Sequence, residues 1–389
     1  MTALLNMYDK WTRAASKGQV TGVVLVDLSA AFDLVPSDIL IQKLKVYGVQ
    51  NDVVAWIESY LTDRYQTVWI DHVFRDLLES STGVPQGSNL GPLLFLIYFN
   101  DLPVFLNENI DCYADDSTVS VSSSQIFEIS ERLTSECESV NCWMTKNKFK
   151  LNAQKTHLLV VGSSARLRRM EQPVIIMDGV RLKETELKQE NLLGINIQSN
   201  LKWSPYIDAL SAKLKLRLAG LMKLKFVMSK SLKRNIVQSI FNSVLCYCLP
   251  LFGGCSKADL DKLQALQNKA VRIELNLLPR YDREQMFLEI EWLSVRQLIA
   301  YHTLVTIYRI RATKQPDYLS MLLSRENHNE HIVISNAQCD LLFKRNGRTK
   351  YIFSDQGFKY RIRASTRRFH FSADYIYMPK SYPISPKIK

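Results

Sequence analysis

Three acidic residues stand where carboxylates are costly. Asp27 closes the apolar, β-branched run TGVVLV (residues 21–26), which reads as a buried strand delivering a carboxylate at its C-terminal end. Asp115 and Asp116 adjoin one another in IDCYADDSTVSVS (110–122), two β-prone arms around a tight turn. Carboxylates crowded at the ends of apolar strands repel one another and lose hydration unless cations bridge them. Mg²⁺ suits that role, because it prefers oxygen ligands and is held by one or two carboxylates together with substrate phosphates. Two such ions, one activating the attacking oxygen and one stabilising the leaving oxygen, perform phosphoryl transfer. An Asp-Asp pair at a turn is by itself ordinary solvated turn chemistry. Between the acids, however, lies Gly83-Val84-Pro85-Gln86-Gly87-Ser88, whose glycines permit close backbone approach to a ligand and whose Gln86 offers both donor and acceptor. The ordered set of three is more specific than any member.

The elements that must position these groups follow from patterning. A short opening helix precedes the Asp27 strand. Ile39, Leu40, Leu44 and Tyr47 recur on a helical face closed by Gly48, and 51–61 repeats the helical pattern. Residues 66–84 read as paired strands, 89–106 as one long apolar helix, and 124–147 as an amphipathic helix. Short strands are expected at 156–161, around Asp178-Gly179 and at 192–197. From about Ser204 the texture is helix after helix, broken near Pro250, Gly253-Gly254 and Pro279, so a boundary is placed close to residue 200. From about 315 the chain mixes Asn, Gly, Pro, aromatic and basic residues without periodicity and is expected to be loosely ordered.

Composition sets the class. The 389 residues are 47% hydrophobic and 23% charged, as in packed globular proteins, and wholesale disorder is excluded. The longest apolar run, Leu93 to Phe99, is too short to span a bilayer, and MTALLNMYDKWTR lacks the features of a secretory signal, so an intracellular protein without membrane contact is expected. Seven scattered cysteines read as reduced thiols; Cys246, Cys248 and Cys255 have neither CxxC pairing nor a nearby histidine, which favours buried structural roles over zinc. The net charge of +12 is concentrated in two places. Residues 202–234 carry nine Lys or Arg against Asp208 alone, and 341–389 carry twelve against Asp355 and Asp374. Clusters of this kind suit a polyanion.

VVLVDLSAAFD (23–33), GVPQGSNLGPLLFLIYFNDLP (83–103) and YADD (113–116) resemble motifs A, B and C of the reverse transcriptases of non-LTR retrotransposons, especially the jockey-like LINE group. NKFKLNAQKT (147–156) is similar to motif D, and NLLGINI (191–197) to the primer-grip motif E. LKWSPYIDALSAK (201–213) and WLSVRQLIAYHTLVTIYRI (292–310) also resemble sequence downstream of the polymerase core in such elements, so the likeness covers roughly residues 17 to 315. Intron-encoded and retron-type enzymes are less similar in the FNDLP and YADD contexts.

The resemblance implies an α+β fold: a right-hand polymerase palm of antiparallel strands and helices over 1–200, an all-helical basic thumb over 201–250, a C-terminal helical region over 251–315, and a basic tail over 316–389. It implies an RNA-directed DNA polymerase that joins dNTPs to a primer 3′-OH on an RNA template. Asp27 and Asp115 would be the principal ligands of two Mg²⁺ ions, with Mn²⁺ as an alternative, and Asp116 would support them. Phe32 falls where the family places the aromatic gate against the ribose 2′-OH, beside Ala31. Gln86 and Gly87 would line the nucleotide and template side, Tyr113 would abut the primer terminus, and Lys155 would supply charge or a proton to the leaving pyrophosphate. Lys202, Lys213, Lys215, Arg217, Lys223 and Lys225, interleaved with Leu214, Leu216, Leu218, Leu221 and Leu224, would track a duplex backbone while the leucines pack inward. RNA template, DNA primer and a chromosomal DNA target are the implied partners, and the nucleus, after a cytoplasmic ribonucleoprotein stage, the implied location. The basic tail, with Arg361, Arg363, Arg367 and Arg368, would bind RNA or direct nuclear entry. About 26 residues precede Asp27 where the family places a fingers subdomain, which suggests the downstream part of a longer frame. The alternative is an inactive remnant that only binds RNA or hybrid duplex.

Overall fold

The computed structural model describes residues 1–324 other than Ser29, His72, Arg75, 153–154, 186–187 and 278–280, and beyond 324 only 371–372 and 375–376. The run Val20–Val26 (β1) is a strand buried along nearly all its length, as suits a β-branched stretch with no polar face. It lies between two antiparallel neighbours, Asp116–Ser123 (β7) and His157–Val161 (β8). Asn109–Tyr113 (β6) completes a four-stranded sheet in the order β6-β7-β1-β8. Alternate residues of a strand face opposite sides, so β1 needs cover on both. Helix Ile126–Lys146 (α6) covers one side, approaching so closely that a β-carbon on Gly22 would lie 2.6 Å from Ile129 and Leu133. Helix Thr2–Ser16 (α1), with Leu4, Met7, Trp11 and Ala14 buried at helical spacing, packs on β1, β6 and β7.

Between β1 and β6 come helices Ser37–Val46 (α2) and Asn51–Leu61 (α3), then four brief strands: Tyr65–Gln66 (β2), Trp69–Ile70 (β3), Val73–Phe74 (β4) and Leu78–Glu79 (β5). β2 pairs with β5 and β3 with β4, so the strands expected over 66–84 are present but short. The single helix expected over 89–106 is instead two, Gly91–Phe99 (α4) and Leu102–Phe105 (α5). Pro103, in the first turn of α5, has no N–H to continue the hydrogen-bond ladder of α4. The buried face of α4 anchors an aromatic cluster in which Phe95 and Phe99 meet Phe149, Phe99 also meets Trp143, and the Tyr98 hydroxyl donates to the Asn147 carbonyl at 2.7 Å.

After β8 follow a single-turn helix, Ser164–Leu167 (α7), and two hairpins: Ile176–Met177 (β9) with Val180–Arg181 (β10), and Gln189–Leu192 (β11) with Ile195–Gln198 (β12). The chain is then helical. Ser204–Leu224 (α8) is followed by Lys230–Ile236 (α9), which runs through a π-helical turn, Val237–Asn242, into Ser243–Leu245 (α10). Leu249–Phe252 (α11) and Lys257–Leu275 (α12) complete this part. α8 and α12 lie against each other, and everything up to Leu277 forms one compact unit, within which residues 200 and 250 both fall. An antiparallel sheet with helices, followed by helices alone, is the α+β class expected. Among the described residues no helix is long and apolar enough to cross a membrane.

The second unit, from Leu278, contains Arg283–Ile290 (α13), Val295–Thr313 (α14) and Asp317–Ser324 (α15), with a strand pair Phe371–Ser372 (β13) and Tyr375–Ile376 (β14). α15 corrects the expectation of loose order from 316: its Leu319 is buried and the helix packs on α14. The tail arginines 361, 363, 367 and 368 lie outside the described residues.

One buried acid is expected to make the first unit sensitive to pH. Glu274 on α12 is 3% exposed, and one of its carboxylate oxygens has no hydrogen-bond partner among the described residues. Burial pushes its pKa up, with Arg234 and Lys230 opposing. The folded state therefore prefers the neutral acid, so the stability is full below the ordinary carboxylate pKa and falls as pH rises through the raised folded value. Glu274→Gln is expected to flatten that fall and to stabilise the protein by about 1 kcal/mol near neutrality. Urea denaturation across the acidic-to-neutral range checks both.

Candidate active site at the end of the central sheet

Asp27 directly follows Val26, which pairs with Ser117, so the sheet register sets Asp27 beside Asp116 at the same end. Tyr113 pairs with Asp116 across the β6-β7 hairpin, leaving Ala114-Asp115 as a two-residue turn. Ala114 takes the left-handed conformation at φ +54°, which a residue with a β-carbon adopts at a cost of about 1–2 kcal/mol. The Asp116 carboxyl is held above its usual range by burial, then by the charges of Asp115 and Asp27, which shows the three acids to be electrostatic neighbours. None has an ion pair or a side-chain hydrogen bond to another described residue. Among the described residues no three His, Cys, Asp or Glu side chains close tightly enough to enclose an ion. The donor set is nonetheless all carboxylate oxygen and uncompensated, which fits a hard divalent cation.

The segment after Asp27 is laced to the glycine turn. Val84 N–H donates to the Phe32 carbonyl at 2.9 Å, Gly83 N–H to the Val35 carbonyl at 2.7 Å, and the Thr82 hydroxyl to the Asp33 carbonyl at 3.1 Å. The Gln86 side-chain amide donates to Asp33 Oδ1 at 2.8 Å, so one side of Gln86 is committed within the protein. Arg64 clamps the same turn, donating to the carbonyls of Thr82 and Gly83 at 2.8 and 2.7 Å and to that of Leu61 at 3.0 Å. Asp33 and Arg64 were not singled out from sequence. Asp33 lies within the quoted AFD and could have been; Arg64 acts on backbone carbonyls and leaves no pattern. Ala31 is buried, and Phe32 stacks on Phe95 with centroids 4.3 Å apart, which supports its ring from beneath. Gly87 is exposed at φ +80° with open space around it.

Lys155 is exposed in a turn whose geometry is set by Asn152. Asn152 N–H donates to the Asp27 carbonyl at 3.2 Å, and Leu28 bridges Leu151, so this turn borders the Asp27 strand. Lys148 is engaged with Asp38 at 3.0 Å. Tyr113 is 59% exposed beside the acid turn.

The basic helix differs in part from expectation. Lys202, Lys213, Lys215 and Lys223 are exposed, and Arg217 and Lys225 are half-buried, Arg217 donating to the Ile240 carbonyl. Leu214, Leu218 and Leu221 are buried, whereas Leu216, two positions from both Leu214 and Leu218 and so on the opposite face, is exposed, as is Leu224, the last residue of α8. Trp203 and Tyr206 are buried against Phe252, as core residues at the helix entry. Cys246, Cys248 and Cys255 are reduced cysteines; burial raises Cys246 to about 11 and raises Cys248 too, which suits packing rather than metal ligation.

Residues 4–197 match the family of reverse transcriptases (RNA-dependent DNA polymerases). The chain is similar to the probable RNA-directed DNA polymerase from transposon BS of Drosophila melanogaster, 29% identical over 269 residues, covering 64% of this chain and 28% of that protein. It is also similar to the RNA-directed DNA polymerase from mobile element jockey of Drosophila melanogaster, 27% identical over 259 residues, covering 64% and 27%. The chain thus spans under a third of the length of these curated relatives. Among solved structures, apo telomerase from Candida Tropicalis overlaps 77% of this chain and 50% of its own at 12% identity and a TM-score of 0.39. On the family match and the jockey-like relatives, the chain belongs to the reverse transcriptases of non-LTR retrotransposons.

Proposed function

We propose that this chain is an RNA-directed DNA polymerase, joining a dNTP to a primer 3′-OH on an RNA template and releasing pyrophosphate. The observation that supports it most is the gathering of Asp27, Asp115 and Asp116 at one sheet end, unpaired among the described residues, beside a glycine turn tied to the Asp27 segment. Reverse transcriptases use divalent metal; Asp27 and Asp115 are the residues to hold two Mg²⁺ ions, or Mn²⁺ in their place, with Asp116 adjoining. Bound cations supply Lewis acidity and charge neutralisation for nucleotidyl transfer.

The protein's own groups do the rest. The primer oxygen attacks the α-phosphorus as the bond to pyrophosphate breaks, and Lys155 offers charge or a proton to the departing oxygen. Gln86 and Gly87 present an amide and an open backbone to the nucleotide and template. Lys202, Lys213, Lys215, Lys223 and Lys225 bind hybrid phosphates without sequence preference, and a chromosomal DNA target in the nucleus provides the primer.

Phe32, braced on Phe95 and next to buried Ala31, is the steric filter against ribonucleotides. Phe32→Val is expected to lower the preference for dNTPs over rNTPs by about 10- to 200-fold in kcat/KM, at least the worth of one methylene of pocket shape. Competing dNTP and rNTP incorporation measures it. The overall reading is tested by extension of a DNA primer on an RNA template by the purified chain with Mg²⁺ and four dNTPs. Extension that stops in EDTA is expected; salt-sensitive hybrid binding without extension would leave only a binding protein.

A further inference from the structure

Asp33 and Gln86 meet across the two segments that frame the site, and what each side chain can do fixes how they meet. Their contact joins Gln86 Nε2 to Asp33 Oδ1 at 2.8 Å. A carboxylate only accepts hydrogen bonds, so the amide nitrogen must turn toward it and the amide oxygen away. Turned the other way, two oxygens would oppose each other. Both main chains behind the pair are held. Asp33 N–H donates to the Ala30 carbonyl at 3.0 Å, and the Asp33 carbonyl accepts the Thr82 hydroxyl at 3.1 Å. On the other side, the Ser88 hydroxyl donates to the Pro85 carbonyl at 2.7 Å and accepts from Gly91 N–H at 2.9 Å. The turn carrying Gln86 is thereby closed onto the start of α4, so tightly that a β-carbon on Gly91 would lie 2.6 Å from the Pro85 carbonyl oxygen. Only side-chain torsions remain to the pair, and their shared hydrogen bond restrains those.

Gln86 is exposed, and its amide oxygen has no hydrogen-bond partner among the described residues. The pair thus offers an acceptor, one residue along from Phe32, the ring assigned above to the sugar of the nucleotide. An acceptor selects a donor. Phosphate oxygens only accept, and the amino groups of bases differ from base to base, whereas a copying site must take all four. Sugar hydroxyls donate and are common to every nucleotide.

We propose that Asp33 is a positioning residue that holds Gln86 with its carbonyl oxygen toward a sugar hydroxyl, the 3′-OH of the incoming dNTP or the 2′-OH of the RNA template. The inference rests on the polymerase reading above and adds to it a side chain that touches no substrate itself. Single-nucleotide incorporation by the full chain is compared for a dNTP against its 2′,3′-dideoxy analogue on RNA, and for a dNTP on RNA against DNA of the same sequence. The native protein is expected to favour the hydroxyl-bearing member of one comparison by about 10-fold in kcat/KM, the worth of one hydrogen bond, and that comparison identifies the hydroxyl. Asp33→Ala should lose most of this margin, as should Gln86→Ala, and the two together should lose no more than either alone. Gln86→Glu sets two carboxylates face to face and should lose it as well. Adding Asp33→Asn lets the new amide donate to the glutamate, whose second oxygen again points outward, and the margin should return. No native margin in either comparison, a margin kept in Asp33→Ala, or no recovery in the exchanged pair would overturn the proposal while leaving the polymerase reading intact. A native protein that incorporates no nucleotide on either template would overturn both.

Discussion

Asp115→Ala is expected to lower primer extension by about 10³-fold or more, because losing a cation ligand forfeits several kcal/mol of transition-state stabilisation at about 1.4 kcal/mol per decade. The electrostatics make this outcome separable from misfolding. Asp115 is one of the charges that hold the Asp116 carboxyl above its usual range. Removing it relieves repulsion in the cation-free protein, so the variant should melt no lower than the native chain in EDTA. Thermal melting in EDTA and single-turnover extension in Mg²⁺ read the two effects independently. Hybrid binding, which we propose rests on lysines on and near α8, should change little. An Asp115→Ala protein that extends primers at the native rate would refute the assignment of the site.

The second large effect is expected at Gly83. Its φ is +83°, and a β-carbon there would lie 2.7 Å from the Asp33 carbonyl oxygen and 2.8 Å from the Asp33 Cα. The obstruction is backbone on both counts and cannot rotate aside. Gly83→Val therefore combines the left-handed penalty of about 1–2 kcal/mol with an overpacking cost of about 1–3 kcal/mol, a destabilisation of about 2–5 kcal/mol. The bonds from Gly83 and Val84 to Val35 and Phe32 should fail with it, so extension falls further than stability alone dictates. Gly87 provides the internal comparison: its φ is nearly the same, +80°, but nothing stands within 4 Å. Gly87→Ala should lose only about 1 kcal/mol, the conformational part. Urea midpoints of the two variants decide it, and equal losses would show that crowding at Gly83 contributes nothing.

The parts of this site legible in the sequence are those made by local patterning. TGVVLV ending in Asp27 reads as a buried strand because β-branched residues without a polar face have few other homes, and the YADD arms read as a hairpin because their partners are a few residues apart. The register that brings Asp27 to Asp116 was not legible from spacing; the family resemblance implied the meeting and the sheet provides the neighbourhood. The division of 89–106 was missed because apolar residues continue across Asn100-Asp101, and a proline in a first helical turn looks compatible with one helix. Leu216 was misplaced because interleaving with lysines was read without the 100° step of the helix, and Leu224 because the helix ends there. Arg64 was invisible because it donates to main-chain carbonyls, two of them far along the chain, and a carbonyl carries no residue identity.

The position of β1 also has a consequence for biosynthesis. The strand that ends at the site is made early, yet Val20 pairs with Ser123 and Thr21 with Val161. At translation rates of about 5–20 residues per second, its apolar edges emerge from the ribosome roughly 5–30 seconds before both partners exist. During that interval VTGVVLV is an unpaired, chargeless strand, the kind of segment that chaperones bind and that aggregates when they do not. Slowed synthesis across residues 30–160 should therefore reduce the soluble yield of this protein, even though every contact of the finished sheet is unchanged.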